Sequence, residues 1–353
     1  MSRPSAFKAS ASFLRTKTAL ICILAGGLAR AARAESVFEA ISKEVQAVYA
    51  LHQSAVVRVE AEDEHGRLSG SGFYVDPNGT IFTSYTIGGE TRNIVVCSGD
   101  SKFPADRLLR DARSGIAILK IKAQTPFLAA GKSSDLAIAS PVMIIGYPMD
   151  LPATPNFGTV GGFDVKYMGH YFSPAYIRAD MPVQRGEGGA PLLNLKGEVV
   201  GILISPLENG VGCFALPIEA AEKVYGDYMR FGEARPGWLG ITVGDTQHNG
   251  QGPPEVRDII KDSPAEKCGL RRGDVLLRIG EKRILAPEDV LDASFYLTAG
   301  DPVALVVSRD GRETTLQAQP AAIPSPRDAL AILKEFEAAR AGASPAEHLD
   351  GGN

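Results

Sequence analysis

The chain has 353 residues, of which 22% are charged, and its formal net charge is −4 at pH 7. Residues 1–34 contain six basic residues and no acidic one, so the remainder carries 31 basic against 41 acidic residues. So acidic a chain is a poor partner for the phosphate backbone of nucleic acids. No segment after residue 34 is apolar enough to span a bilayer, and the length is typical of about two domains.

The first 34 residues have the pattern of a secretory signal peptide. A basic stretch leads into a short apolar run over 18–29, and Ala32-Arg33-Ala34 offers a small-x-small cleavage site. The apolar run is about 12 residues long, whereas a membrane-spanning helix needs about 20. We therefore expect an exported protein, periplasmic or extracellular. It should keep no integral membrane segment once the signal peptide, residues 1–34, has been removed.

Three cysteines follow this segment: Cys97, Cys213 and Cys268. An odd number cannot pair fully within one chain, and their apolar neighbours predict small buried side chains. No Cys-x-x-Cys or histidine-rich spacing indicates a metal site. We expect neither a metal nor a cofactor.

Changes in periodicity divide the rest of the chain. Apolar residues at helical spacing predict an N-terminal helix over 35–54, and short apolar strands separated by turn residues then run over 55–217. A linker helix is predicted over 218–234 and a smaller β unit over 235–320. Residues 321–353 are expected to form a helix followed by a disordered tail.

The most informative segment is a glycine-rich loop, Gly186-Glu187-Gly188-Gly189-Ala190-Pro191. It is similar to the nucleophile loop of trypsin-like serine proteases, except that glycine stands where the serine belongs. Ile144-Ile145-Gly146-Tyr147-Pro148 matches a further turn of such proteases. Ser263-Pro264-Ala265-Glu266-Lys267, with Gly269-Leu270 and Gly273-Asp274-Val275, is typical of a PDZ domain.

Together these motifs resemble the HtrA/Deg family over about residues 55–320. The resemblance implies a mostly β fold, with a trypsin-like double β-barrel over 55–217 followed by a PDZ domain. It also implies the family's usual trimer, for which Phe38 and Tyr49 are candidate contacts, or a mixed oligomer with active paralogues.

The positions of the family's catalytic triad hold other residues. Thr86 stands in place of the histidine, Gly115 in place of the aspartate and Gly188 in place of the serine. A triad needs a nucleophile, a proton acceptor and an orienting carboxylate, so we predict that the chain is a pseudoprotease and not an enzyme. Gly186, Glu187 and Gly188 would form a vestigial oxyanion loop, in which Glu187 either adds an unfavourable negative charge or faces solvent.

The PDZ resemblance implies a peptide groove. PDZ domains add an extended peptide to a sheet edge, and the residues expected to hold it are Trp238, Leu239, Gly240, Ile241, Val290, Leu291 and Phe295. The alternative is that Trp238 and Leu239 belong to the core. Ligands would be unfolded proteins or peptide C-termini.

These observations predict an HtrA-like pseudoprotease that acts as chaperone, adaptor or regulator of proteolysis. Two alternatives remain open: an active serine endopeptidase in protein quality control, and a non-catalytic structural subunit of a mixed oligomer.

Overall fold

The computed structural model describes residues 39–167, 170–207, 211–244 and 252–324. The chain divides into two compact units, one up to Leu51 and one from His52 onward. The predicted signal peptide, Phe38 and most of the predicted tail lie outside the described residues. A helix, α1, covers 39–52 of the predicted 35–54. No helix among the described residues is long and apolar enough to cross a membrane.

A seven-stranded sheet follows. Its strands are β1 (Val56–Glu62), β2 (Arg67–Tyr74), β3 (Thr80–Ser84), β4 (Arg92–Ser98), β5 (Ser101–Pro104), β6 (Asp106–Asp111) and β7 (Ile116–Lys120). They pair in the order β5-β4-β1-β2-β3-β7-β6, and a one-turn helix, α2 (Tyr85–Gly88), leaves the end of β3. The turn between β2 and β3 is stabilised by Asp76, whose carboxylate accepts from the amide of Asn78 at 2.8 Å.

The next six strands close into a barrel. They are β8 (Pro141–Gly146), β9 (Thr154–Tyr167), β10 (His170–Pro182), β11 (Pro191–Leu193), β12 (Val199–Pro206) and β13 (Val211–Pro217). Alternate residues point inward, so Val142, Ile144 and Leu192 are fully buried in its core. Cys213 lies in the same core. Cys97 and Cys213 are buried and Cys268 is half-buried, and all three are free.

A helix then leads to the C-terminal sheet. Helix α3 (Ile218–Phe231) ends at Gly232, which has a φ of 77°, a backbone conformation that suits glycine. It stops three residues short of the predicted end of the linker helix. Its buried Asp227 accepts from Lys223 Nζ at 2.6 Å and from the Thr298 hydroxyl at 2.8 Å. This carboxylate therefore connects the helix to the part of the chain that contains Thr298.

Residues 237–322, called the C-terminal unit below, form mainly one antiparallel sheet. Its strands are β14 (Gly237–Trp238), β15 (Ile241–Gly244), β16 (Glu255–Ile259), β17 (Val275–Ile279), β18 (Lys282–Arg283), β19 (Val303–Arg309), β20 (Arg312–Ala318) and β21 (Ala321–Ala322). β14 pairs separately with β21. Two helices, α4 (Pro264–Lys267) and α5 (Pro287–Phe295), accompany the sheet. Asp289 accepts from the amides of Leu285 and Ala286 and so caps the start of α5.

Replacing Asp227 with alanine should lower the free energy of unfolding by about 3 kcal/mol. The side chains of Lys223 and Asp227 are only 10% and 4% exposed, and removing one partner of a buried pair leaves the other charge uncompensated. Urea unfolding would measure the loss, and the double variant Lys223→Met/Asp227→Leu should recover part of it.

The matched control is Glu39→Ala, which breaks the exposed Lys43–Glu39 pair of the same i, i+4 spacing. Exposed pairs of this kind contribute about 0.5 kcal/mol or less. An Asp227→Ala variant no less stable than Glu39→Ala would contradict the role assigned to the buried carboxylate.

Candidate functional site

The three positions aligned with a catalytic triad lie close together where the first sheet meets the barrel. Thr86 is in α2, and its hydroxyl lies 2.9 Å from that of Ser84. The amide of Tyr85 donates to the carbonyl of Gly115 at 2.7 Å, which joins α2 to the turn before β7. A Cβ placed on Gly188 would lie 3.5 Å from Ser84 Oγ. The fold thus brings together the three loops that the sequence resemblance places around a catalytic triad.

The available space differs between the two glycines. At Gly188 the 3.5 Å approach to Ser84 Oγ is ordinary van der Waals contact, so a small side chain would fit. Gly115 has a φ of 76°, and a Cβ there would lie 3.0 Å from Ile204 Cγ2. Tyr176 packs nearby and donates its hydroxyl to the carbonyl of Ser114 at 3.2 Å. Burial raises the pKa of Tyr176 to about 12, so it stays a neutral donor.

Close backbone approaches explain two glycines of the loop before β11. Gly186 and Gly189 have φ values of 96° and 88°. A Cβ would lie 2.3 Å from the Tyr147 carbonyl oxygen in the first case and 2.2 Å from the Ser71 carbonyl oxygen in the second. Neither position can take a side chain without moving backbone. No described residue accepts a hydrogen bond from the amides of Gly186 and Gly188, two members of the predicted oxyanion loop.

Glu187 does not face solvent. Its side chain is 0% exposed, and its carboxylate accepts from Asn156 Nδ2 at 2.7 Å and from the amide of Gln184 at 2.6 Å. Burial raises the pKa of Glu187, although both hydrogen bonds favour the charged form. The solvent-facing alternative is therefore wrong, because the loop turns this side chain inward onto two donors.

The predicted peptide-binding residues surround one cavity of about 480 Å³ between β15 and α5. All seven line it: Trp238, Leu239, Gly240, Ile241, Val290, Leu291 and Phe295. Leu239 is also 4% exposed and packs in the C-terminal core, so it has both of the roles considered for it. The carbonyls of Leu239 and Gly240 accept from Ala265 and Ile260. The amides of Leu239 and Gly240 have no acceptor among the described residues.

Seven further residues that were not predicted from the sequence also line this cavity: Arg113, Gly237, Val243, Pro287, Glu288, Ser294 and Ile323. Arg113, from the turn between β6 and β7, lines it together with the C-terminal unit. Its guanidinium carbon lies 4.2 Å from the centroid of the Phe295 ring. Nothing in the local sequence signals this contact, because it joins residues 182 positions apart. Within the described ranges there is no group of three or more potential metal-binding side chains.

Replacing Glu187 with glutamine should change how stability depends on pH. A carboxyl whose pKa is raised by folding binds its proton more tightly in the native state. Its stabilising contribution is therefore present below the unfolded pKa, about 4.3, and is lost as the pH rises through the folded pKa. The stability of the native chain relative to Glu187→Gln should fall over that window, as measured by urea unfolding at several pH values.

Glu64→Gln is the control for this measurement, because the side chain of Glu64 is 85% exposed. Its stability difference from the native chain should stay flat over the same pH range. A flat difference for Glu187→Gln as well would contradict the burial effect.

Comparisons with known proteins agree with this architecture. A family model described as a trypsin-like peptidase domain matches residues 70–202, and a PDZ domain model matches residues 255–309. The predicted fold class, a mostly β trypsin-like unit followed by a PDZ domain, is confirmed.

Several bacterial relatives share both regions. A protein of Pseudomonas fluorescens named "probable periplasmic serine endoprotease DegP-like" is 32% identical over 75% of this chain and 58% of its own length. One of Chlamydia pneumoniae with the same name is 29% identical over 69% of this chain and 53% of its own length. The chain thus spans a little over half the length of these relatives. These relatives are named periplasmic proteins, which confirms the prediction that the chain is exported.

Solved structures show the same fold. "HtrA-type protease AlgW with tripeptide" has a TM-score of 0.66 at 22% identity and covers 80% of this chain and 98% of its own. The serine endoprotease from Yersinia pestis has a TM-score of 0.57 at 23% identity, covering 79% and 98%.

These comparisons contradict the prediction that the chain is not an enzyme. The relatives that match it across both domains are named serine endoproteases, and the structural neighbours are named proteases. The residue types at three positions therefore do not by themselves establish that hydrolysis is absent.

The order of domains, the matched family models and the relatives all agree with the resemblance seen in the sequence motifs. The predicted resemblance to the HtrA/Deg family is confirmed: the chain has a trypsin-like peptidase domain followed by a PDZ domain and is similar to HtrA-type proteases.

Proposed function

We propose that this chain is a protein quality-control factor that binds unfolded proteins or peptide C-termini in the groove of its PDZ domain. Residues 1–34 would direct its export. The observation that carries this proposal is the cavity of about 480 Å³ between β15 and α5. It has apolar walls for a side chain, and the amides of Leu239 and Gly240 are available at one end to receive a carboxylate.

The wall residues have the exposure that a binding surface needs. Leu291 on α5 is 43% exposed although it is large and apolar, and Ile241 on the facing strand is half-buried. An extended peptide would pair with β15 and cover both side chains. Burying this apolar area would contribute to affinity at roughly 25 cal/mol per Å² before the costs of association.

Serine-type endopeptidase activity is the second candidate, favoured by the names of the relatives. For it we propose that Thr86, Gly115 and Gly188 stand at the triad positions and limit the rate of hydrolysis. Binding and hydrolysis are compatible, since a peptide held by the PDZ domain would be kept near the barrel. A homotrimer or a mixed oligomer with active paralogues remains the proposed assembly.

The full chain should bind peptides that end in an apolar residue with a free carboxylate at least about tenfold more tightly than their C-terminal amides. A hydrogen bond to a charged group contributes about 1.5–3 kcal/mol. Calorimetric titration of matched acid and amide peptides would measure the difference, and equal affinities would contradict recognition of C-termini.

Leu291→Ser should weaken binding of the acid peptide, and Leu285→Ser is its matched control. Both leucines are exposed, at 43% and 54%, but only Leu291 lines the cavity. Gly240 is unsuitable for substitution, because a Cβ there would lie 2.4 Å from Ser263 Cβ. Equal losses in the two leucine variants would show that binding occurs elsewhere.

Restoring the triad should raise hydrolysis of unfolded casein by about 10² or more over the native chain, since triad members act as a unit. The variant is Thr86→His/Gly115→Asp/Gly188→Ser, and its matched control carries Gly188→Ala instead of Gly188→Ser. The crowding of Gly115 by Ile204 calls for a second version of each that also carries Ile204→Ala.

A native chain as fast as the restored variant, or a control as fast as its serine counterpart, would contradict the assignment of the three positions. Labelling of the native chain by a fluorophosphonate, mapped by mass spectrometry, would then identify the serine that reacts.

A further inference from the structure

Arg113 belongs to the first sheet but lies against the peptide groove of the PDZ domain. It follows β6 in the turn that ends at Gly115, and it stacks on Phe295, the last residue of α5, at 4.2 Å from the ring centroid. It is also part of the lining of the cavity between β15 and α5. One wall of the groove is therefore built by a different domain.

The guanidinium of Arg113 is poorly satisfied. Its Nε and Nη2 atoms are buried and have no hydrogen-bond partner among the described residues. Loss of solvation lowers the pKa of Arg113, in spite of the opposing effects of Asp111 and Asp227. Stacking on an aromatic face stabilises a guanidinium, but it leaves the N–H groups without acceptors.

The two neighbouring carboxylates already have other partners. Asp111 accepts from the Ser114 hydroxyl at 2.7 Å and from the backbone amide of Arg113 at 3.3 Å. Asp227 accepts from Lys223, the Thr298 hydroxyl and the amide of Arg235. Among the described residues, no acceptor therefore pairs with Nε or Nη2 of Arg113, which lies at the edge of a ligand cavity.

The groove also has a charge polarity. Glu288, in the first turn of α5, and Arg113 line the same cavity. Arg113 contacts Phe295, at the opposite end of that helix. Glu288 and Phe295 are seven positions apart, or about 10.5 Å along a helix. The side-chain charges of these two residues, Arg113 and Glu288, therefore favour a ligand carboxylate beside Arg113 over one beside Glu288.

We propose that Arg113 is a specificity-determining residue that pairs with a carboxylate of a peptide bound in the PDZ groove. The inference rests on the proposed function of that groove. The carboxylate comes from the peptide C-terminus or from an acidic side chain close to it, and two parallel N–H groups of a guanidinium suit either source. Ligand recognition is then shared between the first sheet and the PDZ domain.

The test compares the native full chain with Arg113→Met, which keeps an apolar side chain over Phe295, and with Arg113→Lys, which keeps the charge. Three peptides of one apolar-ended sequence serve as probes: the free acid, its amide, and the amide with glutamate as the penultimate residue. Calorimetry gives each affinity, and thermal unfolding shows that each variant is folded. Arg110→Met is the matched control, because Arg110 lies on β6, is 51% exposed and pairs with Glu90 away from the cavity.

Arg113→Met should weaken binding of at least one carboxylate-bearing probe about tenfold and leave the plain amide within about twofold, since a charged hydrogen bond is lost. Arg113→Lys should recover part of the loss, and Arg110→Met should show none. A loss confined to the free acid identifies the terminal carboxylate as the source, and a loss confined to the glutamate peptide identifies the side chain.

Equal affinities of native chain and Arg113→Met for all three probes would overturn the inference while leaving the groove's proposed function intact. Failure of the native chain to bind any probe would instead overturn the proposed function itself. If Arg113→Met fails to fold, the Arg113→Lys variant decides, since unchanged affinity for every probe would exclude a bidentate pair.

Discussion

The two β units of the trypsin-like region are joined by hydrogen bonds that converge on Ser71. This residue is 0% exposed; its amide donates to Gly188 at 2.8 Å and its hydroxyl donates to Gly186 at 2.8 Å. The same hydroxyl accepts from the amide of Tyr147 at 2.9 Å, and the Ser71 carbonyl accepts from Thr83 at 2.7 Å. One small side chain in the first sheet thus fixes the glycine loop of the barrel.

This arrangement fixes the backbone of the loop through contacts that do not involve a side chain at the nucleophile position. The loop conformation depends on close backbone contacts at Gly186 and Gly189, where φ is positive. Gly188 lies between them without such a contact. The backbone shape of the loop is therefore imposed by its neighbours, whereas position 188 has room for a small side chain.

The elements predicted best from sequence were those with a strong local pattern. Helix α3 begins at Ile218 as its apolar spacing indicates, and the predicted groove residues meet around one cavity because the PDZ motif fixes their order along the chain. The burial of Glu187 could not be predicted, since it depends on Asn156 from β9 and on the turn at Gln184. Arg113 was missed for the same reason: its surroundings come from residues distant in sequence.

Domains of this kind are often treated as interchangeable parts, each with its own ligand preference. The stacking of Arg113 on Phe295 sets a limit to that view for this chain. The ligand preference proposed for this groove belongs to both domains, so moving the C-terminal sheet to a new host would carry over the shape of the groove but not Arg113. Divergence in the turn before β7 would likewise alter what the groove accepts without any change in the PDZ sequence.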